Sequence, residues 1–291
     1  MEIERVETAP GVVPEGYHCR CRFCQKSIGE LVRADGTNYS RLDRRKYYDP
    51  IERGSGGHIA KTPLHVARGA IQEYSRPGGW VLDPTAGSGT TLVESLVQGR
   101  NAAGMELQYE EVISANVRRH AVGGLLARVR IGDSRGIGGF LSDMGEEFDL
   151  VVNNPPYFGD QSFPGPSVHG RGREHRATER KFLYDKDLPN LAFLKEGTEY
   201  WQTMADIYRQ CTDYLIPGGR FVVGVKDQMR SKKPDYLHEK FAEVLEGIGL
   251  VHEGTAFLKH YPPTLHLSTY GGRYGVEPPK YQSIVVFRKG G

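Results

Sequence analysis

The chain has 291 residues, room for one large α/β domain with a small appendage and a substantial core. Its 38 basic and 36 acidic side chains leave a formal charge of +2, which excludes a globally basic polyanion binder and confines any such surface to local segments. No apolar run approaches the ~20 residues of a membrane span, and the opening MEIERVETAP lacks the apolar segment of a signal peptide. A cytoplasmic (intracellular) protein with no membrane partner is therefore expected; its oligomeric state has no signature in the sequence.

Residues 1–57 read as an irregular N-terminal extension rich in Arg, Tyr, Gly and Pro. It holds three of the four cysteines in the stretch HCRCRFC, and such crowding argues against a disulfide framework. Cys21 and Cys24 have the two-residue gap of a zinc knuckle, with Cys19 and His18 beside them, so Cys19, Cys21 and Cys24 are the zinc candidates. A closed site needs a fourth ligand. No second cysteine pair exists, His18 adjoins Cys19 too closely for easy joint ligation, and Cys211 falls mid-helix where a core role is expected. On the sequence, reduced non-ligating thiols are favoured over zinc or an iron–sulfur centre.

From residue 58 onward the pattern changes. GGWVLDPTAGSGTTLVESLVQG predicts a strand at 80–83, a Gly-rich turn, and a helix over 90–98 stopped by Gly99. NAAGMEL gives a second strand ending at Glu106, and YEEVISANVRRHA has helical spacing. ARVRIGD supplies a third strand and FDLVVNN a fourth. The helix YWQTMADIYRQCTDYLIPGG is expected to close at Pro-Gly-Gly before the strand RFVVGVKD. LHEKFAEVLEGIG is a further helix, and LVHEGTAFL and YQSIVVFRK are closing strands.

Strands alternating with helices of this length imply a mostly parallel, doubly wound sheet. Ligands in such sheets sit outside the carboxyl ends of the strands. Asp83, Glu106, Asp133 and Asn154 all fall at such ends, which predicts one common ligand site.

The turn DPTAGSGTT is no phosphate loop, because no Lys follows the glycines, and Leu92 stands where the third glycine of a dinucleotide fingerprint would be. Gly87 and Gly89 permit close backbone approach, and the amides of Thr90 and Thr91 suit a negative group. Glu106 is placed to accept from ribose hydroxyls and Asp133 from an adenine amine. These residues describe an adenosine-bearing ligand held without a pyrophosphate cradle, which S-adenosylmethionine fits better than a dinucleotide does.

The stretch VLDPTAGSGTTLVESLVQGRNAAGMEL resembles the cofactor motif of amino-group DNA methyltransferases, and NPPY at 154–157 resembles their catalytic motif. GHIAKTPLHVARGAIQEYSRPG resembles the segment before the cofactor motif, carrying Lys61, Thr62 and Pro63 toward the methionine end. The resemblance runs from about residue 56 to the end and implies a Rossmann-like class I methyltransferase fold with an antiparallel C-terminal strand, in a domain spanning 58–291. It implies a cofactor set of Lys61, Thr62, Pro63, Asp83, Thr85, Gly87, Ser88, Gly89, Thr90, Thr91, Glu106, Asp133, Ser134 and Asn154. Thr85 replaces a usual Phe, the cofactor motif precedes the catalytic one, and only about 40 residues separate Tyr157 from the next helix.

An exocyclic base amine is a poor nucleophile, because its lone pair is delocalised into the ring. Transfer to it needs acceptors for the amine protons and close aim at the methyl group. Asn154 Oδ1 and the Pro155 carbonyl are the expected acceptors, Pro155 and Pro156 stiffen the backbone, and Tyr157 offers an extruded base a stacking face, with Phe158 as a second contact.

Three segments mix positive charge with aromatics or glycine: YSRLDRRKYYDP with Arg44, Arg45 and Lys46; HGRGREHRATERK with Arg171, Arg173 and Arg176; and KDQMRSKKPDY with Arg230 and Lys232. This composition suits phosphates and unstacked bases. Residues 158–198 and 258–280 are expected to be substrate-facing loops. The expected reaction is methyl transfer to N6 of adenine or N4 of cytosine in DNA. Structured RNA is the alternative nucleic-acid substrate, since RNA is often read by shape and exposed bases. Protein glutamine methylation is a further alternative, which the basic segments disfavour.

Overall fold

A computed structural model of the chain describes residues 5–6, 19, 21–31, 62–121, 123–158, 188–194, 197–230, 232–259, 275–276, 279 and 281–291. In chain order these give β1 (Arg5–Val6), α1 (Arg22–Gln25), β2 (Ser27–Leu31), α2 (Leu64–Tyr74), β3 (Trp80–Asp83), α3 (Thr90–Val97), β4 (Asn101–Glu106) and α4 (Glu110–His120). They continue with β5 (Ala127–Ile131), α5 (Ile137–Met144), β6 (Phe148–Asn153), α6 (Thr198–Asp213), β7 (Leu215–Lys226), β8 (Gln228–Arg230) and β9 (Lys233–Asp235). The last are α7 (Leu237–Gly247), β10 (Val251–Lys259) and β11 (Tyr281–Arg288). The chain packs as two compact units, residues 40–216 and residues 1–39 with 217–291.

In the unit of residues 40–216, β3 pairs in parallel with β4 on one side and β6 on the other, and β4 pairs in parallel with β5. The strand order β6-β3-β4-β5 means that the chain winds outward from β3 and then returns to β3's other edge. That reversal opens a crevice beyond the carboxyl ends of β3 and β6. All four residues of β3 are buried, as are all six of β6, as expected of strands covered on both faces. α3 is buried almost all round, and Leu92 and Leu96 pack with Ala86, Ala102, Ile113 and Val117. Each such large side chain contributes roughly 1.5–3 kcal/mol by leaving water. Gly104 makes the packing possible: a Cβ there would meet Leu92 Cδ1 at 2.9 Å and Ala86 Cβ at 3.0 Å.

α4 carries Glu110 and Glu111 in its first turn and Arg118, Arg119 and His120 in its last, the arrangement that complements a helix dipole. α6 buries Tyr200, Met204, Ile207, Tyr208 and Cys211 along one stripe at 3.6-residue spacing. Cys211 is fully buried, and burial pushes its thiol up beyond the ordinary range, in keeping with a core role.

In the other unit, β2 pairs antiparallel with β1 and in parallel with β10, while β11 runs antiparallel to both β10 and β7. The expected antiparallel closing strand is β11. β7 begins earlier than the sequence predicts: Leu215 and the Pro-Gly-Gly that follows are already strand. The backbone there is held by Gly218 N–H donating to the Lys289 carbonyl at 3.1 Å and Lys289 N–H to that of Gly219 at 3.0 Å. The helix instead ends at Asp213. Among the described residues no helix is long and apolar enough to cross a membrane.

Candidate active site

The crevice of the 40–216 unit is lined by Thr62, the turn residues Thr85 to Ser88, Thr90, Glu106, Leu107, Asp133, Ser134, the run Asn154 to Tyr157, and Pro189 to Leu191. The carboxyl ends of four strands therefore contribute to one cavity. The turn between β3 and α3 is built by internal hydrogen bonds. The amides of Thr85, Ala86, Gly87 and Gly89 donate to Asp83 Oδ1 at 3.1 Å, the Met105 carbonyl at 2.9 Å, Glu106 Oε2 at 2.8 Å and the Ala86 carbonyl at 2.8 Å. Gly87 at φ 56° and Gly89 at φ 85° take the left-handed conformation that this tight path needs. A diphosphate cradle would use such amides on its ligand; four here are already engaged inside the protein. Those four amides are not available to a ligand phosphate.

Glu106 is 7% exposed. Besides the Gly87 amide it accepts the amides of Gln108 at 2.9 Å and Tyr109 at 3.2 Å. A carboxylate offers about four acceptor sites, so three amides fix its direction and leave about one for a ligand hydroxyl. Burial raises its pKa against the pull of those amides. Asp133, two residues beyond β5, is partly exposed and pairs with the Arg135 guanidinium, whose pKa that pairing raises. The Ser134 hydroxyl donates to the Pro84 carbonyl at 2.6 Å, tying this loop to the turn.

Asp83, expected to face the cofactor, does not line the crevice. Its Oδ2 accepts from the Thr91 hydroxyl at 2.6 Å and its Oδ1 from Asn153 Nδ2 at 3.2 Å and from the Thr85 amide. It is 1% exposed and braces the turn from behind, because a strand-end carboxylate facing three donors is drawn inward. Thr91 lies off the crevice for the same reason, its hydroxyl engaged by Asp83. Gly89 lies off it too, turned toward Ile113 at the start of α3, and so does Pro63, which precedes α2. Burial lifts the Asp83 carboxyl to about 6.

In the unfolded chain that carboxyl ionises near its ordinary value of 3.8, so the native state holds the proton longer. Stability from this group is therefore full below about pH 4 and is lost as pH rises to 6, by about 3 kcal/mol for a shift of this size. Asp83→Asn keeps an acceptor for Thr85 and Asn153 and can donate to the Thr91 hydroxyl. It is expected to flatten the wild-type fall in stability between pH 4 and 6, measured by denaturant unfolding. Parallel pH profiles for the two proteins would refute the assignment.

The two asparagines at the end of β6 have different tasks. Asn153 is fully buried: its Nδ2 donates to Thr85 Oγ1 at 2.7 Å and to Asp83, and its Oδ1 accepts from the Tyr208 hydroxyl at 2.8 Å. Asn154 is half-buried and lines the crevice. The Tyr200 hydroxyl donates to the Pro156 carbonyl at 2.6 Å, so α6 holds the proline pair from behind. Tyr157 lines the crevice and is partly exposed.

Phe158 corrects a sequence expectation. It is 1% exposed, with edge contacts to Tyr200 at 4.9 Å and Trp201 at 5.5 Å, so it anchors the loop and offers no face to a base. Arg230 and Lys232 belong to the β8–β9 hairpin of the other unit, where Arg230 lies 3.6 Å from Asp235. Lys61, Arg44, Arg45, Lys46, Arg171, Arg173 and Arg176 lie outside the described residues, as do most of 158–198 and 258–280.

Sequence reasoning missed the supporting layer of Asn153, Tyr200 and Tyr208 and the far wall of Pro189, Asn190 and Leu191. Asn190 caps a short 3-10 turn by accepting from the Ala192 amide at 3.0 Å, and its position before a Leu-Ala-Phe run was the signal that could have revealed that wall.

A parallel sheet with its switch-point crevice, a glycine turn whose amides are largely engaged inside the protein and a buried strand-end carboxylate are together the Rossmann-like α/β architecture of class I methyltransferases. Residues 26–116 match the N6/N4 methyltransferase family described as DNA methylase. That stretch includes the turn and Glu106 and ends before Asn154. The type II methyltransferase M.MthZI of Methanothermobacter thermautotrophicus is 44% identical over 50 residues, 17% of this chain and 14% of that protein. The type II methyltransferase M.SmaI of Serratia marcescens is 44% identical over 63 residues, 22% of each chain. The matches thus span less than a quarter of either relative's length. Among solved structures, TrmN from Thermus thermophilus is similar with a TM-score of 0.44 at 18% identity, over 82% of this chain and 51% of that one.

Proposed function

We propose that the protein transfers a methyl group from S-adenosylmethionine to an exocyclic base amine, N6 of adenine or N4 of cytosine, in DNA. The observation that carries this reading is that Asn154, Pro155, Pro156 and Tyr157 line the same crevice as the glycine turn and Glu106.

The cofactor fits the residues present. Glu106 keeps about one acceptor site for a ribose hydroxyl, Asp133 and Ser134 lie on the side where an adenine would sit, and Thr62 and Thr85 line the remainder. When bound, the cofactor supplies an electrophilic sulfonium methyl. The chain's own task is to prepare the amine. Asn154 Oδ1 and the Pro155 carbonyl accept hydrogen bonds from its two N–H groups and draw electron density onto nitrogen, which is worth most in a site that excludes water. Amide oxygen is too weak a base to take a full proton, so the proton leaves to water after the bond to carbon has formed. Tyr157 offers an extruded base an aromatic face. Pro155 is buried and the Pro156 carbonyl is bound by Tyr200, so the acceptors approach a base from a fixed direction.

The test is nucleoside mass spectrometry after incubating the purified protein and labelled S-adenosylmethionine with DNA in one tube and ribosomal RNA in another. Label in N6-methyladenine or N4-methylcytosine from DNA is expected. Label only in RNA would overturn the choice of DNA. No label in either, from protein that binds the cofactor, would overturn base-amine transfer itself.

A further inference from the structure

We infer that Cys19, Cys21, Cys24 and His238 form a closed Cys3His site that holds one structural zinc ion. The donor atoms of these four residues all lie within 4.8 Å of one another. Cys24 Sγ is 3.1 Å and Cys21 Sγ 3.6 Å from His238 Nε2, and the two sulfurs are 3.4 Å apart. Zn2+ at about 2.3 Å from sulfur and 2.0 Å from nitrogen separates its tetrahedral donors by roughly 3.5–3.8 Å. The separations of 3.1, 3.4 and 3.6 Å lie within or a few tenths of an ångström below that range, and every donor pair is within 4.8 Å. A multinuclear iron–sulfur cluster interposes a metal–sulfide core and drives its thiolates farther apart than this.

His238 is the fourth ligand that the sequence reading lacked, since it stands 214 positions from Cys24. The fold brings it there from the first turn of α7, while Cys21 caps α1 and directs Cys24 one turn on, with the amides of Cys24 and Gln25 donating to the Cys21 carbonyl. All four ligands belong to the unit of residues 1–39 and 217–291.

The surroundings are those of a metal ligand. His238 Nδ1 lies 2.8 Å from Asp227 Oδ2 and 2.9 Å from Oδ1. A carboxylate accepts, so Nδ1 carries the proton and the Nε2 lone pair faces the three sulfurs. Asp227 is itself held, accepting the His238 amide at 3.2 Å and facing the Ser283 hydroxyl at 3.5 Å. Cys19, Cys24, His238 and Asp227 are all at most 3% exposed, and Phe257, Tyr281 and Tyr236 pack round the cysteines. Four protein donors complete the tetrahedron and leave no position for water, which makes the ion structural. It would clip the cysteine segment to α7, so binding and folding of this unit are linked.

Protein purified from zinc-containing medium should contain one zinc per chain by elemental analysis. The three thiols of the site should resist a thiol reagent until a strong chelator is added, and cobalt substitution should give the visible bands of a tetrahedral thiolate site. Cys21→Ser with Cys24→Ser should remove the metal, whereas Cys211→Ser should retain it. Because the double variant can fail for reasons of folding alone, Asp227→Asn provides the second test. With every ligand still present it is expected to weaken zinc binding about 10–100-fold in a chelator competition. Folded protein that contains no zinc after zinc supplementation, iron in place of zinc, or zinc that survives the loss of both cysteines would each overturn the site.

Discussion

Asn154→Ala is expected to lower methyl transfer by about 10²–10³-fold, the usual effect of removing one aimed polar group from a transition state, while leaving cofactor affinity nearly intact. The reasoning rests on the division of labour between neighbouring asparagines. Asn154 lines the crevice where a base amine would enter, whereas Asn153 is fully buried and bonded to Asp83, Thr85 and Tyr208. Asn153→Ala should therefore act differently. It removes an acceptor of the buried Tyr208 hydroxyl, at about 1–3 kcal/mol of stability, and releases the turn proposed to hold the cofactor, so that affinity and turnover fall together. Calorimetric titration with S-adenosylmethionine beside a single-turnover assay separates the two outcomes. Wild-type turnover in Asn154→Ala would remove the proposed mechanism. A joint loss of affinity and stability there would make Asn154 another brace.

The distinction between brace and ligand marks how far the sequence could be read. Period and punctuation place β3, α3, β4, α4, β6 and β11 almost to the residue, because each is an apolar run bounded by Gly, Pro or a polar strand end or, for α4, an amphipathic stretch with helical spacing. They also place Glu106 and Asn154 at the edge of one parallel sheet. α5 escaped because Gly138 and Gly139 interrupt its pattern and argue against a helix, though Ile137, Phe140 and Leu141 bury it all the same. Asp83 and Phe158 have types and positions that suit ligand contacts. Which way a side chain turns depends on partners from distant segments: Thr91 and Asn153 for the first, Tyr200 and Trp201 for the second. His238 is the plainest case. Its Leu-His-Glu-Lys context carries no metal signature, and contacts distant in sequence, among them the pairing of β2 with β10, bring Cys19, Cys21 and Cys24 within reach of α7.

A second large effect is expected at the ion pair between α2 and α3. Arg68 Nε lies 2.8 Å from Glu94 Oε2 and its Nη2 3.2 Å from Oε1, with the two side chains 8% and 0% exposed. Arg68→Met removes the cation and leaves the Glu94 carboxylate buried, which should cost about 3–5 kcal/mol. Attraction between the charges is not the source of that loss. Desolvation largely offsets their mutual energy, so Arg68→Met with Glu94→Leu should recover most of the stability. The pair matters to function through geometry. α2 follows directly from Thr62, and α3 begins at Thr90, so the bridge sets two walls of the crevice against each other. If the double variant regains stability but binds the cofactor more weakly, the pair holds register. Wild-type affinity in it would show that packing alone positions the helices. Denaturant midpoints for the single and double variants decide the energetic claim, and a double variant as unstable as Arg68→Met would refute it.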